Sequence, residues 1–265
     1  MRLKLPDIEY FARSEISNSD CKLIEKSMAH FLNKGEQSDT PSMAFGRALH
    51  AYVLDESSFW QNFIVAPPID RRTSQGKADW KQLLDSGREI VSSSDWAEIT
   101  QLRQNIMDHP IAKNILKDAL CEGVLTGEFD GVPVRGKIDL INKGFVIDLK
   151  TTQNASKSEF KRSLSNFGYH QQAAFYVDLC QQNEIEVSGF LMIAVERGVK
   201  FGGVAVYSLD QESIDIGRAR YKKSLLKYKY HISNPGVYPG YSPEVESIGV
   251  SQWVISQAAF GEFDS

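Results

Sequence analysis

Residues 136–176 read GKIDLINKGFVIDLKTTQNASKSEFKRSLSNFGYHQQAAFY. Two β-like runs lie at the head of this stretch. Pro133–Ile141 carries Asp139, and Phe145–Lys150 carries Asp148 and Lys150. Between them Asn142-Lys143-Gly144 is a hairpin turn signal. Side chains alternate along a pleated strand, so Asp148 and Lys150 share one face, with Asp139 on the neighbouring strand. Val146, Ile147 and Leu149 are apolar, which predicts a buried strand. A buried Asp or Lys is costly unless it is paired or binds metal, so these are not ordinary surface charges. An amphipathic helix from about Lys157 brings Gln172 and Tyr176 within reach. Gln171 and Gln172 are adjacent, and i to i+4 spacing selects Gln172 to share the face of Tyr176.

Two carboxylates can hold a hard cation such as Mg²⁺, which takes oxygen ligands and keeps several waters. The Leu149 backbone carbonyl, pointing sideways from the strand, is a candidate third ligand. Lys150 then lies beside metal-bound water and a phosphate, where it can stabilise developing charge or orient the attacking water. Taken alone, Asp-x-Lys is common and mostly a surface strand. What changes the reading here is the acid on the preceding strand, the apolar flanks and the Gln-x-x-x-Tyr helix that follows.

Working outward, Ser17 and Ser19 are N-cap candidates for a first helix with an apolar stripe at Leu23, Ile24, Met28, Phe31 and Leu32, ended by Gly35. Thr40–Phe59 predicts a second helix, in which Gly46 suggests close packing or close backbone approach. His50 lies on its apolar stripe, where a lone histidine is usually a satisfied core residue. Ile64–Trp80 is expected to be a loop broken by Pro67-Pro68. Its Arg71, Arg72 and Lys77, with Lys81 just beyond, are suited to phosphate contact, and a solvated, mobile loop is the bland alternative. Ser94–Leu120 predicts one or two structural helices interrupted at Pro110. Glu122 begins a strand beside the one carrying Asp139, and Asp130-Gly131 is a turn signal. Val187–Val195 and Gly203–Tyr207 predict two more strands. Gln211–Tyr230 is a long helix with a basic face, more often a solvated face than a DNA-tracking surface. A tail rich in Pro, Gly, Tyr and Ser follows from Asn234.

The 265 residues contain 42% apolar and 24% charged residues, ordinary for a globular protein that buries a sizeable core. No apolar run is long enough to span a membrane, and the N-terminus lacks the pattern of a signal peptide. Cys21, Cys121 and Cys180 show no metal spacing and suit buried thiols in a reducing cytoplasm. A formal charge of −4 is not that of a nonspecific nucleic-acid binder, but it leaves room for basic residues gathered on one surface.

Asp139, Asp148-Leu149-Lys150-Thr151-Thr152 and Tyr169-His170-Gln171-Gln172-Ala173-Ala174-Phe175-Tyr176 together resemble the PD-(D/E)XK nuclease superfamily, specifically its RecE-like branch (exodeoxyribonuclease VIII and phage relatives). FGRALH around His50 and the run from Arg71 to Trp80 resemble elements of the same branch, and the likeness extends from about Ile8 to Tyr230. It implies an α/β fold with a mixed central β-sheet flanked by helices. We expect one nuclease domain over 1–265: a helical part to about 120, a catalytic core over 121–210, and a C-terminal helix and tail over 211–265. The resemblance implies a metal set of Asp139, Asp148, the Leu149 carbonyl and His50, with Glu122, or less favourably Glu128, also reaching the ion. It implies Lys150 and Gln172 as catalytic, and Arg72, Lys77 and Tyr176 as DNA contacts. It further implies an Mg²⁺-dependent exonuclease, with Mn²⁺ substituting, that degrades linear double-stranded DNA from 5′ ends and leaves 3′ tails for recombination. The expected partners are copies of itself in a trimeric or tetrameric ring and a single-strand annealing protein. Three other readings share the residues: a structure-specific endonuclease, a RecB-type nuclease domain, and a DNA-binding assembly protein with a decayed site. The iron–sulphur branch is disfavoured for want of four clustered cysteines.

Overall fold

The computed structural model describes residues 7–35, 40–117 and 119–260; for 7, 8, 120–122 and 257–260 it describes the backbone alone. The chain opens with helices α1 (Asp7–Ala12), α2 (Asn18–Lys26), α3 (Met28–Leu32), α4 (Pro41–Leu54) and α5 (Glu56–Asn62). A short parallel pair, β1 (Phe63–Val65) and β2 (Glu89–Val91), brackets α6 (Ser74–Asp85). Helices α7 (Ser93–Asp108) and α8 (Pro110–Leu116) lead into the main sheet. There the order along the chain is β3 (Leu120–Phe129), β4 (Val132–Asn142), β5 (Phe145–Thr152), α9 (Lys157–Asn166), α10 (Tyr169–Gln182), β6 (Gly189–Glu196) and β7 (Val204–Ser208). The long α11 (Gln211–Ser233) and α12 (Gln252–Phe260) end the described chain.

The main sheet has five strands in the order β3-β4-β5-β6-β7. Only the β5–β6 step is parallel. A parallel neighbour needs a long crossover, and α9 with α10 supplies it. The two tight hairpins of the sheet turn at Asp130-Gly131 (φ 51° and 79°) and Lys143-Gly144 (φ 49° and 77°), and a longer loop joins the antiparallel β6 and β7. Two consecutive left-handed residues make the turn whose twist matches that of paired strands. The mixed sheet flanked by helices that the sequence predicts is therefore present.

The sheet is covered on both faces. Val146, Phe190 and Met192 pack with Ile24 of α2, Phe175 and Leu179 of α10, and Tyr221 of α11. Ile147, Leu149 and Ile193 pack on the other face with Leu49 of α4, Phe59 of α5, and Leu102 and Ile106 of α7. Neighbouring residues of β5 thus enter opposite cores. That explains its nearly unbroken apolar run, since a strand buried on both faces has no solvent side to leave polar.

Several boundaries differ from the sequence expectation. The first helix breaks at Ser27, whose extended backbone (φ −168°, ψ 160°) ends α2 while its hydroxyl caps α3. Asp55 likewise ends α4 and caps α5, so Thr40–Phe59 is two helices rather than one. The expected Ile64–Trp80 loop becomes helix from Ser74, because the Thr73 hydroxyl accepts the Gly76 N–H at 2.9 Å and nucleates α6. At three residues each, β1 and β2 are too short to show a period in sequence.

Two interior helix glycines have opposite meanings. A Cβ on Gly217 would sit 2.0 Å from the His170 carbonyl oxygen, so α11 crosses α10 backbone against backbone. A Cβ on Gly46 would meet only Thr151 Oγ1, at 4.0 Å, so the close packing suggested for it is an ordinary contact. Gly217→Ala should therefore lower stability by roughly 2–3 kcal/mol. Gly46→Ala should raise it by up to about 1 kcal/mol through helix propensity. Urea midpoints of the two variants against wild type check this pair of opposite signs.

Candidate active site

Strands β4 and β5 pair only beside their turn, from Leu140 opposite Ile147 to Asn142 opposite Phe145. Beyond that they part, while β5 stays paired with β6 from Phe145 to Thr152. The N–H and C=O of one strand residue point to the same side. At Leu149 that side is the opening between β4 and β5. The Asp139 carboxylate takes the place of the missing strand: Oδ2 accepts the Leu149 N–H at 3.2 Å. The Leu149 carbonyl accepts from His50 Nε2, which α4 brings over from the other layer. His50 Nδ1 lies 3.3 Å from Asp139 Oδ2. One imidazole thus bridges the Leu149 carbonyl and the Asp139 carboxylate.

Asp148 is almost wholly buried. Its Oδ1 accepts from Gln172 Nε2 at 2.8 Å, which places α10 over the strand. Its Oδ2 lies 2.8 Å from Lys150 Nζ. That contact is ionic but off the direction of a hydrogen bond, so Oδ2 has a charge partner and no directed donor. Lys150 Nζ also lies 5.0 Å above the Tyr169 ring. Gln171, beside Gln172, turns away to donate to Asn18 Oδ1 at 3.1 Å. Tyr176 is half-buried, with its ring edge 3.0 Å from where a Gly136 Cβ would stand.

The electrostatics follow from crowding charge into a partly buried opening. Burial, joined by the neighbouring Asp148, pushes Asp139 up to about 6 against the opposing pull of His50, Lys150 and the Leu149 N–H. For Lys150 burial favours the neutral amine, but Asp148 and Asp139 outweigh it and hold the ammonium. Burial, with Tyr10, Asp139 and Asp148 adding to it, raises the Tyr176 hydroxyl well above its ordinary value.

The structure brings together His50, Asp139, Asp148, the Leu149 carbonyl, Lys150 and Gln172, with Tyr176 alongside. Arg72 and Lys77 stand elsewhere in the contact pattern. Arg72 is 91% exposed and holds Asp70 in a fork at 2.9 and 3.0 Å. Lys77 is exposed on the first turn of α6. The side chain of Glu122 lies outside the described residues; its backbone belongs to β3. Glu128 is exposed, near the hairpin turn. Sequence reading missed Lys22. Its Nζ donates to the Phe167 carbonyl at 2.7 Å, and burial together with the Lys150 charge pushes its pKa down to about 8. Its charge couples to Lys150 and Asp148 only through the packing of α2 on α10, which no local pattern announces. Tyr169 belongs to the quoted motif, but its place under Lys150 depends on how α10 docks on the sheet.

These donors fit a hard divalent cation. Asp148 Oδ2 is a buried carboxylate oxygen without a directed donor, and Asp139 is a second carboxylate whose charge is poorly compensated. Among the described residues no three His, Cys, Asp or Glu side chains form a metal cluster. The set available is two carboxylates and a backbone carbonyl, which suits an ion that keeps several waters. His50 Nε2 is engaged with the Leu149 carbonyl, so the imidazole sits where it orients a ligand.

Residues 17–249 match the family described as "PDDEXK-like domain of unknown function (DUF3799)". No curated protein matches the chain. A crystal structure named "Putative exonuclease", from Eubacterium rectale, superposes with a TM-score of 0.64 at 14% identity, over 96% of this chain and 98% of that one. At that identity the likeness shows the fold. A "phage related exonuclease" from Haemophilus somnus 129PT has 15% identity over 86% of this chain and 100% of its own, with a TM-score of 0.38, too low to carry an argument.

The raised value of Asp139 fixes a pH dependence of stability for the metal-free protein. Its folded pKa of about 6 lies above the ordinary carboxylate value of 3.8. The folded state therefore binds the proton more tightly, and stability is lost as pH rises from about 4 to about 6. Asp139→Asn removes this penalty and keeps an acceptor for the Leu149 N–H. In EDTA the variant should match wild type below pH 4 and exceed it by about 1–2 kcal/mol at pH 7. Denaturation midpoints across that range check the sign.

Proposed function

This chain belongs to the PDDEXK-like family, and we propose that it is a divalent-metal-dependent deoxyribonuclease, an exonuclease acting on linear double-stranded DNA. The observation that carries the reading is the opening between β4 and β5, lined by Asp139 and the Leu149 carbonyl, with Asp148 and Lys150 near enough for their charges to act on Asp139. In this reading Asp139, Asp148 and the Leu149 carbonyl hold Mg²⁺, with Mn²⁺ able to substitute. A bound cation supplies an activated water and neutralises charge on the scissile phosphate.

The chain's own residues do the rest. Lys150 is kept as an ammonium by its two carboxylate neighbours, which suits it to stabilise charge on the phosphate rather than to accept a proton. Gln172 fixes Asp148 through Oδ1 and leaves Oδ2 turned away from the amide. His50 is a positioning residue: its contacts with the Leu149 carbonyl and Asp139 hold two ligands at one spacing. Glu122 would add a further acid from β3. Tyr176, beside Gln172, and the exposed Arg72 and Lys77 would contact the DNA. Digestion from 5′ ends, a ring of three or four copies, and delivery of 3′ tails to an annealing protein complete the proposed role.

Linear duplex labelled at a single 5′ or 3′ end, with a closed circle as control, tests it. Mg²⁺ should release 5′ label early, spare the circle, and do nothing in EDTA. Lys150→Ala should lower cleavage by on the order of 10²–10³ while duplex binding stays within a few-fold. Asp148→Ala should abolish cleavage with binding likewise retained. Cutting of the circle would make the protein an endonuclease. Wild-type cleavage in both variants would remove the site assignment.

A further inference from the structure

Among the described residues, the C-terminal segment is tied to its own protomer only as far as Tyr241. The Ala29 N–H donates to the Pro239 carbonyl at 2.8 Å, and the Tyr241 ring meets His30 edge-on at 5.5 Å. Beyond that point every residue from 243 to 256 is exposed. The exposed set includes Val245 (102%), Ile248 (95%) and Trp253 (68%), together with Val250, Val254 and Ile255. Helix α12 is nine residues long. An isolated helix of that length is marginal in water without a surface to bury its side chains against. Contiguous exposed apolar side chains of this kind mark an interaction site.

The charge of the arm selects a partner. After His231 the chain contains no Lys, Arg or His, and its charged residues are Glu244, Glu246, Glu262 and Asp264. The complementary pattern stands on the outer face of α11. Lys222, Leu226 and Tyr230 follow one another at i, i+4 and i+8, with Lys223 beside them. Leu226 is 60% exposed and Tyr230 58%. Lys222 and Lys223 are exposed and have no carboxylate partner among the described residues. An apolar, acidic arm and an apolar, basic stripe thus occur on one chain, and the arm leaves its own stripe uncovered.

We propose that residues 242–260 of one copy dock on the Lys222–Tyr230 stripe of a second copy. The contact joins two different patches, so it closes into a ring when each arm reaches the next copy, or into a dimer when two arms exchange. The inference rests on the proposed self-assembly and gives it a joint. It is read from mass in solution without any cleavage assay, so its failure leaves the nuclease reading standing.

Light scattering on the eluting full-length protein at about 20 µM tests it. Wild type should be an oligomer. Lys222→Glu with Lys223→Glu, and separately Glu244→Lys with Glu246→Lys, should each shift the mass to that of one chain. All four changes together should restore the oligomer. Because these side chains are exposed in the protomer, circular dichroism should keep the wild-type spectrum, and Trp253→Ser with Ile255→Ser should also give the monomer. A monomeric wild type, an oligomer indifferent to the charge reversals, or a failed restoration would overturn the proposal. A monomer whose lysine variants lose duplex binding would assign the stripe to DNA instead.

Discussion

The site depends on the edge of β5 that β4 leaves unpaired beyond Ile147. Leu149 belongs to β5, is buried, and is in register with Ile193 of β6. Its other edge has no strand to bond. A buried backbone N–H or C=O without a partner costs about as much as a lost hydrogen bond. The fold meets that demand with side chains: Asp139 takes the N–H and His50 meets the carbonyl. The same two contacts draw an acid from β4 and an imidazole from α4 to a single point, beside the Asp148–Lys150 pair on the opposite face of β5. Satisfying one backbone residue and assembling the candidate metal site are therefore the same structural event.

The arrangement is poorly compensated without a ligand. Two carboxylates face a shared opening, and the nearest cation, Lys150, is needed by both. Removing charges from water is repaid only when attraction and hydrogen bonding are complete, and here Asp148 Oδ2 has no directed donor. Strain of this kind is kept where a ligand relieves it. The helix pair behind the sheet is itself tied together. Tyr221 donates to Asp178 at 2.6 Å, Arg218 pairs with the same carboxylate at 2.7 Å, and Gly217 lets α11 lie directly on α10. That helix pair carries Gln172 to Asp148.

What the sequence revealed was what repeats locally. Alternation placed Asp148 and Lys150 together, the Asp130-Gly131 and Asn142-Lys143-Gly144 signals located the two tight hairpins, and helical spacing chose Gln172 over Gln171; the structure shows each of these. The hidden features depend on residues distant in the chain. Nothing near Leu149 tells that β4 diverges from it, because divergence is a relation between strands. Lys22 is 128 residues from Lys150, and its charge acts on the site only after α2 packs on α10. At shorter range, one hydrogen bond accepted by the Thr73 hydroxyl caps a helix in a stretch expected to be loop. Ser27 and Asp55 each broke a continuous apolar stripe by capping the next helix, a choice that periodicity alone does not show.

The most direct test of the central claim is a titration of Mn²⁺ into the purified chain, followed by the loss of the free-ion paramagnetic resonance signal, for wild type and Asp148→Asn. The account predicts saturable binding in wild type that Mg²⁺ displaces and that Asp148→Asn weakens by at least an order of magnitude. Equal binding in the two proteins would show that the cation sits elsewhere. No binding in either would contradict the reading of the β4–β5 opening as a metal site.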